Sequence, residues 1–586
     1  MNPTFGKEQP LARHSFRSAR ALAACAGVIF GLGCLGIAFA ATPAVPTASA
    51  TKSEPLHVQI DQLIAAKFPK YTAFQAPLTT DAEFLRRVTL DLTGNVPSVN
   101  ATRQFLADRD PQKRSRLIDS LLGSADHARH FANVFDVIYM RRIKTDNIPS
   151  KDWKDYLQQS FAENKPYDQL AREILSADGS DPKTHCRARF YVDRQGEMNE
   201  ITRDVGRIFL GADLECAQCH DHPQIDDFRQ EHYYGLAAFF VRASLYRNKD
   251  RQFMIAEKAD GEVSFESVFD IRDKVSHGPQ TTKPKLFDRP AIVEPAFAKT
   301  DDRYLVKPGK DVRAVPKFSR LGGIARVITA PENTRFARTA ANRLWAVLMG
   351  RGIVDPVDLD HSFNPPSHPE LLDVLTQSLA RNKYNTRDFI REIALSQTYQ
   401  RSSQRLKSDG SPAENAPPEM FAQAPLKPLS PEQFARALLQ ATGTGEVPQD
   451  AAGDQVDKSA ATKSKKPKED FAKRIVSLFG GVPGKPSSQF EATPVQALYL
   501  ANDPQLIALT APKPGNLAER LQKFAPADVA PLAEELYLSL LSRPPVPQEV
   551  QDVREYLADA KPAERPDLLR QLIWALATSA EFRFNH

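Results

Sequence analysis

Cysteine is scarce in this chain, with five residues in 586, beside twelve histidines, six methionines and three tryptophans. Two of the five, Cys25 and Cys34, lie in an N-terminal apolar run, so a processed chain keeps Cys186, Cys216 and Cys219 and has room for one disulfide at most. Net charge is equally thin. The chain carries 77 Lys and Arg against 72 Asp and Glu, a formal +5, and loss of Lys7, Glu8, Arg13, Arg17 and Arg20 with the leader leaves about +2. Nothing in that balance points to nucleic acid as a partner. No Gly-x-Ser-x-Gly nucleophile elbow is present, and Gly480 to Lys485 fails the phosphate-loop pattern because Phe479 stands where its first glycine belongs.

What is present begins with an export signal over 1–40. Lys7, Arg13, Arg17 and Arg20 form a positive start, Ala21 to Ala41 is unbroken apolar sequence, and Ala38-Phe39-Ala40 supplies small residues for cleavage. The expected location is the periplasm or the cell surface. The run is long enough to span a bilayer if uncleaved, which is the one route to membrane attachment. Residues 41–56, rich in Ala, Thr, Pro and Ser, are expected to be a disordered tether.

The scarce residues converge at Cys216-Ala217-Gln218-Cys219-His220. Cys-x-x-Cys-His is the attachment signature of c-type haem, in which two thiols reach the two vinyl groups of one porphyrin and the adjacent imidazole ligates the iron. With so few cysteines and histidines, chance produces the motif in roughly one such chain per thousand. Two other chemistries use the same residues. Zinc accepts S and N ligands at such spacings, with Cys216 and Cys219 joined by two of His220, His222 and His232. A disulfide would join Cys216 to Cys219, or either of them to Cys186. The reading adopted is covalent haem c with His220 as proximal ligand, a carrier of single electrons to an unknown redox partner protein. A cell-surface binding scaffold held by zinc or a disulfide is the alternative.

Around the motif, apolar residues recur at helical spacing, which predicts a mainly α fold. Helices are expected near 58–64, 84–92, 117–122, 126–140, 153–157, 170–175 and 199–210, with an aromatic-rich helix over 230–246. Thr80 with Glu83 forms a capping box and Gly94 is placed to end that helix. Asp260-Gly261 between Phe253–Ala256 and Val263–Phe265 predicts a β-hairpin. The expected organisation is a helical cytochrome-like block over 57–246, a hairpin and proline-rich connection over 247–318, and a second helical block over 319–586 with a solvated insert at 446–470. Thr329-Ala330-Pro331 predicts the start of a helix in the second block, and Ser430-Pro431-Glu432-Gln433 another.

Several stretches together resemble one family. Leu90-Asp91-Leu92-Thr93-Gly94 with Pro97, Ala128-Arg129-His130-Phe131, Pro166-Tyr167-Asp168 and Phe209 to Pro223 followed by Tyr233 to Phe240 are similar to the planctomycete-type cytochrome C-like domain of unknown function. Asn342-Arg343-Leu344-Trp345, Asn364 to Glu370, Ser396-Gln397-Thr398-Tyr399 and Thr493 to Leu500 resemble its usual partner, a planctomycete secreted domain. The resemblance implies no settled activity. The chain departs from the pattern at Gln224 and Phe228, where relatives carry an aromatic and a tryptophan. It also has no room between Ala41 and His57 for the separate cytochrome c domain that relatives often carry.

Two further expectations concern individual residues. The sixth haem ligand is expected to be His130, at a position where relatives also tend to show histidine, with Met198 as the competitor ahead of the motif helix; His222, two residues from His220, ranks below both because the chain would have to double back around the porphyrin edge to reach the far face. In the second block, Arg343, Arg351, Asp355, Asp358, Asp360, His361 and His368 cluster in sequence. They are expected to lock packing by hydrogen bonds, and a pocket there acting on polysaccharide is the third functional alternative.

Overall fold

Helix ends in this protein are written by local side chains. In the computed structural model, which describes residues 54–143, 145, 147–222, 225–266, 278–407, 409–444, 470–481 and 493–586, Thr80 Oγ1 accepts from Glu83 N at 3.2 Å to open the Asp81–Thr93 helix. Gly94 closes that helix in the left-handed region at φ 67°. Ser124 caps Ala125–Met140 by accepting from His127 N, and Ser430 and Gln433 close a reciprocal capping box on Pro431–Ala441. The export signal, most of the expected tether and all but the last residue of the 446–470 insert lie outside the described residues. No described helix is long and apolar enough to cross a membrane.

The architecture is mainly α, with strands only in short two-stranded antiparallel pairs among the described residues. Three sequence-based expectations are corrected. The aromatic-rich helix runs only over Gln230–Ala237, and Ala243–Arg247 is instead a strand paired with Phe253–Glu257. The hairpin expected around Asp260-Gly261 does not form, because Phe253–Glu257 takes the earlier strand as partner and Val263–Glu266 pairs with Pro279–Thr282. Gly261 still turns the chain at φ 115°, but the turn is pinned from outside. Arg242 Nε donates to Gly261 O at 3.0 Å and its Nη2 to Glu262 at 2.7 Å, and Arg320 grips the same Glu262 at 2.8 Å. Third, Thr329 ends the Arg320–Ile328 helix rather than starting one, and the next helix is Thr334–Met349.

The hydrophobic core does not divide near 319. One cluster extends from Ile60 to Ala422 and draws on the helices before and after the strand-bearing connection. The other gathers Leu429 to Phe582 together with Leu90 and Val96, from the C-terminal end of the Asp81–Thr93 helix and the loop after it. That helix therefore serves both cores. Buried Arg320 adds a polar lock between connection and second block, donating to Ala238 O at 2.7 Å and pairing with Glu262 and Glu294. A partly desolvated guanidinium with all these partners satisfied holds its neighbours in a single arrangement.

Candidate functional site

The Met198–Leu210 helix delivers the cysteine motif, and a buried charge cluster holds the helix. Asp204, 1 % exposed, pairs with Arg194 at 2.6 Å, Arg141 at 2.7 Å and Arg207 at 2.8 Å. Burial alone would raise its pKa; the three guanidiniums reverse that and hold it below the usual carboxylate range. Beyond the helix, Leu214 and Ala217 plug into the core while Cys216–Gln218 forms one 3-10 turn, with Cys219 N donating to Cys216 O at 3.2 Å.

Side chains three apart eclipse on a 3-10 turn, so Cys216 and Cys219 share one face. Both are exposed free thiols. The Gln230–Ala237 helix clamps the turn from behind. Tyr234 Oη donates to Gln218 O at 2.9 Å, Gln230 Nε2 donates to Cys219 O at 3.1 Å, and Gln230 N donates to Asp221 Oδ1 at 2.7 Å. Tyr234 is itself stacked on Phe265 with ring centroids 4.5 Å apart. A motif on a loop is thus held on three backbone or side-chain acceptors by one rigid helix.

His220, half-buried, has its Nδ1 2.7 Å from Asp221 O. A carbonyl partner requires the proton on Nδ1, which leaves Nε2 as a lone-pair donor, the tautomer and orientation a metal-ligating imidazole needs. Two same-face thiols followed by such an imidazole fit the donor set of a covalent haem. Burial, reinforced by Asp213 and Glu215, pushes the Cys216 thiol upward.

The other sequence candidates are placed as follows. His222 N donates to Phe228 O at 3.1 Å and its Nδ1 accepts from Ile225 N at 3.1 Å. His232 is buried; its Nδ1 lies 3.0 Å from Asp227 O and its Nε2 3.1 Å from Asp288 Oδ1. The structure gathers His232 with Glu231 and Asp288, whose ligand atoms lie within 4.8 Å of one another, rather than with the cysteines. Those carboxylates already pair with Lys285 and Arg229. The electrostatic neighbours of Cys186 are Arg187, Asp152 and Tyr156, none of them in the motif turn.

His130 is buried where the Ala125–Met140 helix crosses Asp81–Thr93, hydrogen-bonded to the backbone of Asp91 and pressed on Gly94. The end of its helix that touches Met198–Leu210 is the other one, through Tyr139 stacked on Phe209 and Arg141 paired with Asp204. His130 sits ten residues before Met140 on that helix, about 15 Å back along its axis. Met198 is half-buried at the start of the motif helix. Its neighbour Asn199 accepts from Tyr233 Oη at 2.7 Å, and Tyr233 lies within the electrostatic reach of Cys219.

In the second block Arg343 bridges to the first, donating to Asp358 at 2.5 Å and to Arg207 O at 3.1 Å. Arg351 lies 3.6 Å from Asp355. His368 is buried against the rings of Phe68 and Phe421, and burial lowers its pKa to about 4. Asp360 and His361 go elsewhere, into a cleft of about 400 Å³ that they share with Asp227, Arg335 and Arg338. Sequence reasoning missed the two arginines; the available signal was a pair of Arg three apart in the first turns of a helix.

Two family models match the chain. One, PSCyt2, described as a protein of unknown function (DUF1549), covers residues 59–244. The other, PSD1, described as a protein of unknown function (DUF1553), covers residues 320–557. Neither the curated proteins nor the solved structures gave a match. The candidate site lies inside the first match and the Arg343 bridge joins it to the second, and the chain carries a PSCyt2 domain followed by a PSD1 domain.

Proposed function

We propose that this is an exported c-type haem protein that carries single electrons, with Cys216 and Cys219 as the attachment thiols and His220 as the proximal ligand. The observation that carries the reading is the pairing of two exposed free thiols on one face of a 3-10 turn with an imidazole whose Nδ1 is already committed to a carbonyl. Covalent haem supplies one-electron redox chemistry at a site whose potential is set by axial ligands and surroundings. The chain's own part is to hold the turn through Gln230 and Tyr234 and to orient His220 through Asp221 O. For the sixth position, Met198 has the better support, since its helix start is bonded to Tyr233, on the same helix that clamps the motif turn, while His130 is committed to Gly94 and Asp91. The N-terminal signal supports delivery to the periplasm or cell surface, where the electron partner is another protein.

Protein produced with the periplasmic haem-attachment machinery should be red, and its absorbance should survive acid-acetone extraction because thioether bonds do not release haem. Colourless protein with one zinc per chain would overturn the proposal in favour of a metal-stabilised scaffold.

A further inference from the structure

The cleft at Arg335 and His361 has a charge economy that points outward. Its wall carries two carboxylates, Asp227 and Asp360, and two arginines, Arg335 and Arg338, and both carboxylates accept hydrogen bonds from within the protein. Asp227 accepts from Ser362 N at 2.8 Å and from Ser362 Oγ at 2.6 Å, and these bonds help hold its pKa down. Asp360 accepts from Arg338 Nε at 2.7 Å and, less closely, from its Nη2 at 3.3 Å.

The polar atoms left unpaired are nitrogens of Arg335 and His361. Arg335 gives Nε to Leu210 O and Nη2 to Asp360 O, each at 2.6 Å, while its Nη1 has no hydrogen-bond partner among the described residues. Its guanidinium lies over the rings of Phe287, at 4.7 Å, and Phe228, at 5.9 Å, contacts that favour its present direction. His361 stands edge-on to Phe228 with centroids 5.6 Å apart, and its Nδ1 is buried without a partner. A buried polar atom left unpaired costs stability and calls for an explanation. The cleft also lies at the first turn of the sixteen-residue Thr334–Met349 helix. Its N-cap residue, Asn333, turns its amide to Ile328 O at 2.9 Å and caps nothing, so the N–H groups of the first turn are not taken by a side chain. Thr334, Pro365 and Pro366 complete the wall, and Phe363, next to Ser362 in the chain, is 69 % exposed.

We infer that this cleft binds an organic oxyanion, a carboxylate or sulfate group carried on a ring or apolar body, with Arg335 Nη1, His361 Nδ1 and the first turn of the Thr334–Met349 helix as its donors. The site joins the two family domains, since Asp227 and Phe228 come from the first and the donors from the second. It is independent of haem attachment, so its test is read without the haem.

Calorimetric titration of the full-length protein with benzoate, against neutral benzamide of the same shape, tests the inference, with inorganic sulfate as the probe that lacks the apolar body. Saturable binding of benzoate at least tenfold tighter than benzamide is expected, with sulfate competing. His361→Phe keeps the ring on Phe228 and removes the donor, and it should weaken benzoate binding tenfold or more. Arg335→Gln should do the same, and exposed Arg326→Gln should change nothing. Equal binding of benzoate and benzamide overturns the inference. So do unaltered affinity in a folded His361→Phe protein and the absence of saturable binding by either anion.

Discussion

Lys427 Nζ lies 2.6 Å from Asp91 Oδ1, an ion pair across 336 residues of chain with Asp91 only 5 % exposed. Asn585 Nδ2 donates to the same oxygen at 2.8 Å and Tyr399 Oη to the other at 2.9 Å. Burial drives the Lys427 pKa down while Asp91 opposes the shift. The aspartate of Leu90-Asp91-Leu92 is therefore the point where the first helices, the second block and the C-terminus are tied together.

Removing one partner of such a buried pair strands the other charge, which costs about 3–5 kcal/mol. Asp91→Ala is expected to lower the unfolding free energy by that amount, with Lys427→Met milder because it removes the charge along with the contact. A denaturant titration showing Asp91→Ala as stable as the parent would contradict the tie.

Gly94 has φ 67°, and a Cβ added there would lie 2.4 Å from His130 Nδ1. Gly94→Ala should cost about 1–3 kcal/mol for the left-handed backbone and more for the clash. Pairing it with His130→Ala should relieve the clash alone, so a double-mutant cycle should show favourable coupling between the two. Strict additivity would mean the contact carries no energy.

Cys216→Ser and Cys219→Ser should each reduce acid-stable haem, and the double variant should abolish it. Cys186→Ser should leave it unchanged, because Cys186 is seated beside Tyr156. Haem content by pyridine haemochrome measures all four; a haem loss on Cys186→Ser equal to that of the motif variants would move the attachment site.

If Met198 fills the sixth position, the ferric protein shows the sulfur-to-iron band near the red end of the visible spectrum, and Met198→Ala removes it. His130→Ala should keep the low-spin spectrum while lowering stability. The opposite pattern, with the spectrum lost on His130→Ala alone, returns the ligand to His130.

Acid should destabilise the fold well above carboxylate titration. Burial lowers His127 to about 4, His130 to about 3 and His368 to about 4, against about 6.5 in the unfolded chain. Between these limits the unfolded state binds more protons, so stability is full above about pH 6.5 and falls as pH drops toward 4. Melting temperatures across that window measure it. His368→Phe should flatten part of the slope, and an unchanged slope would show that His368 does not contribute.

Legibility followed the range of the interactions. Thr80, Gly94 and the Ser430–Gln433 box could be read directly because a cap involves residues three or four apart. The strand pairing around Gly261 was misread because Asp-Gly is a strong hairpin signal, while Phe253–Glu257 takes the equally local Ala243–Arg247 as its partner and the Arg320 grip on Glu262 comes from much further along the chain. At the candidate site, Cys216, Cys219 and His220 were visible as a spacing. The clamp by Gln230 and Tyr234 was not, since hydrogen bonds to backbone carbonyls leave no trace in residue type.

By itself the sequence determined the mainly α character, the helix starts and stops and the three residues of the haem-type motif, because each depends on neighbours along the chain. Tertiary structure alone decided that Asp91 meets Lys427, that His130 presses on Gly94, and that Arg335 and His361 face one cleft. These are contacts between residues up to hundreds of positions apart, set by which apolar faces bury together, and no local pattern encodes which distant partner a buried charge will find.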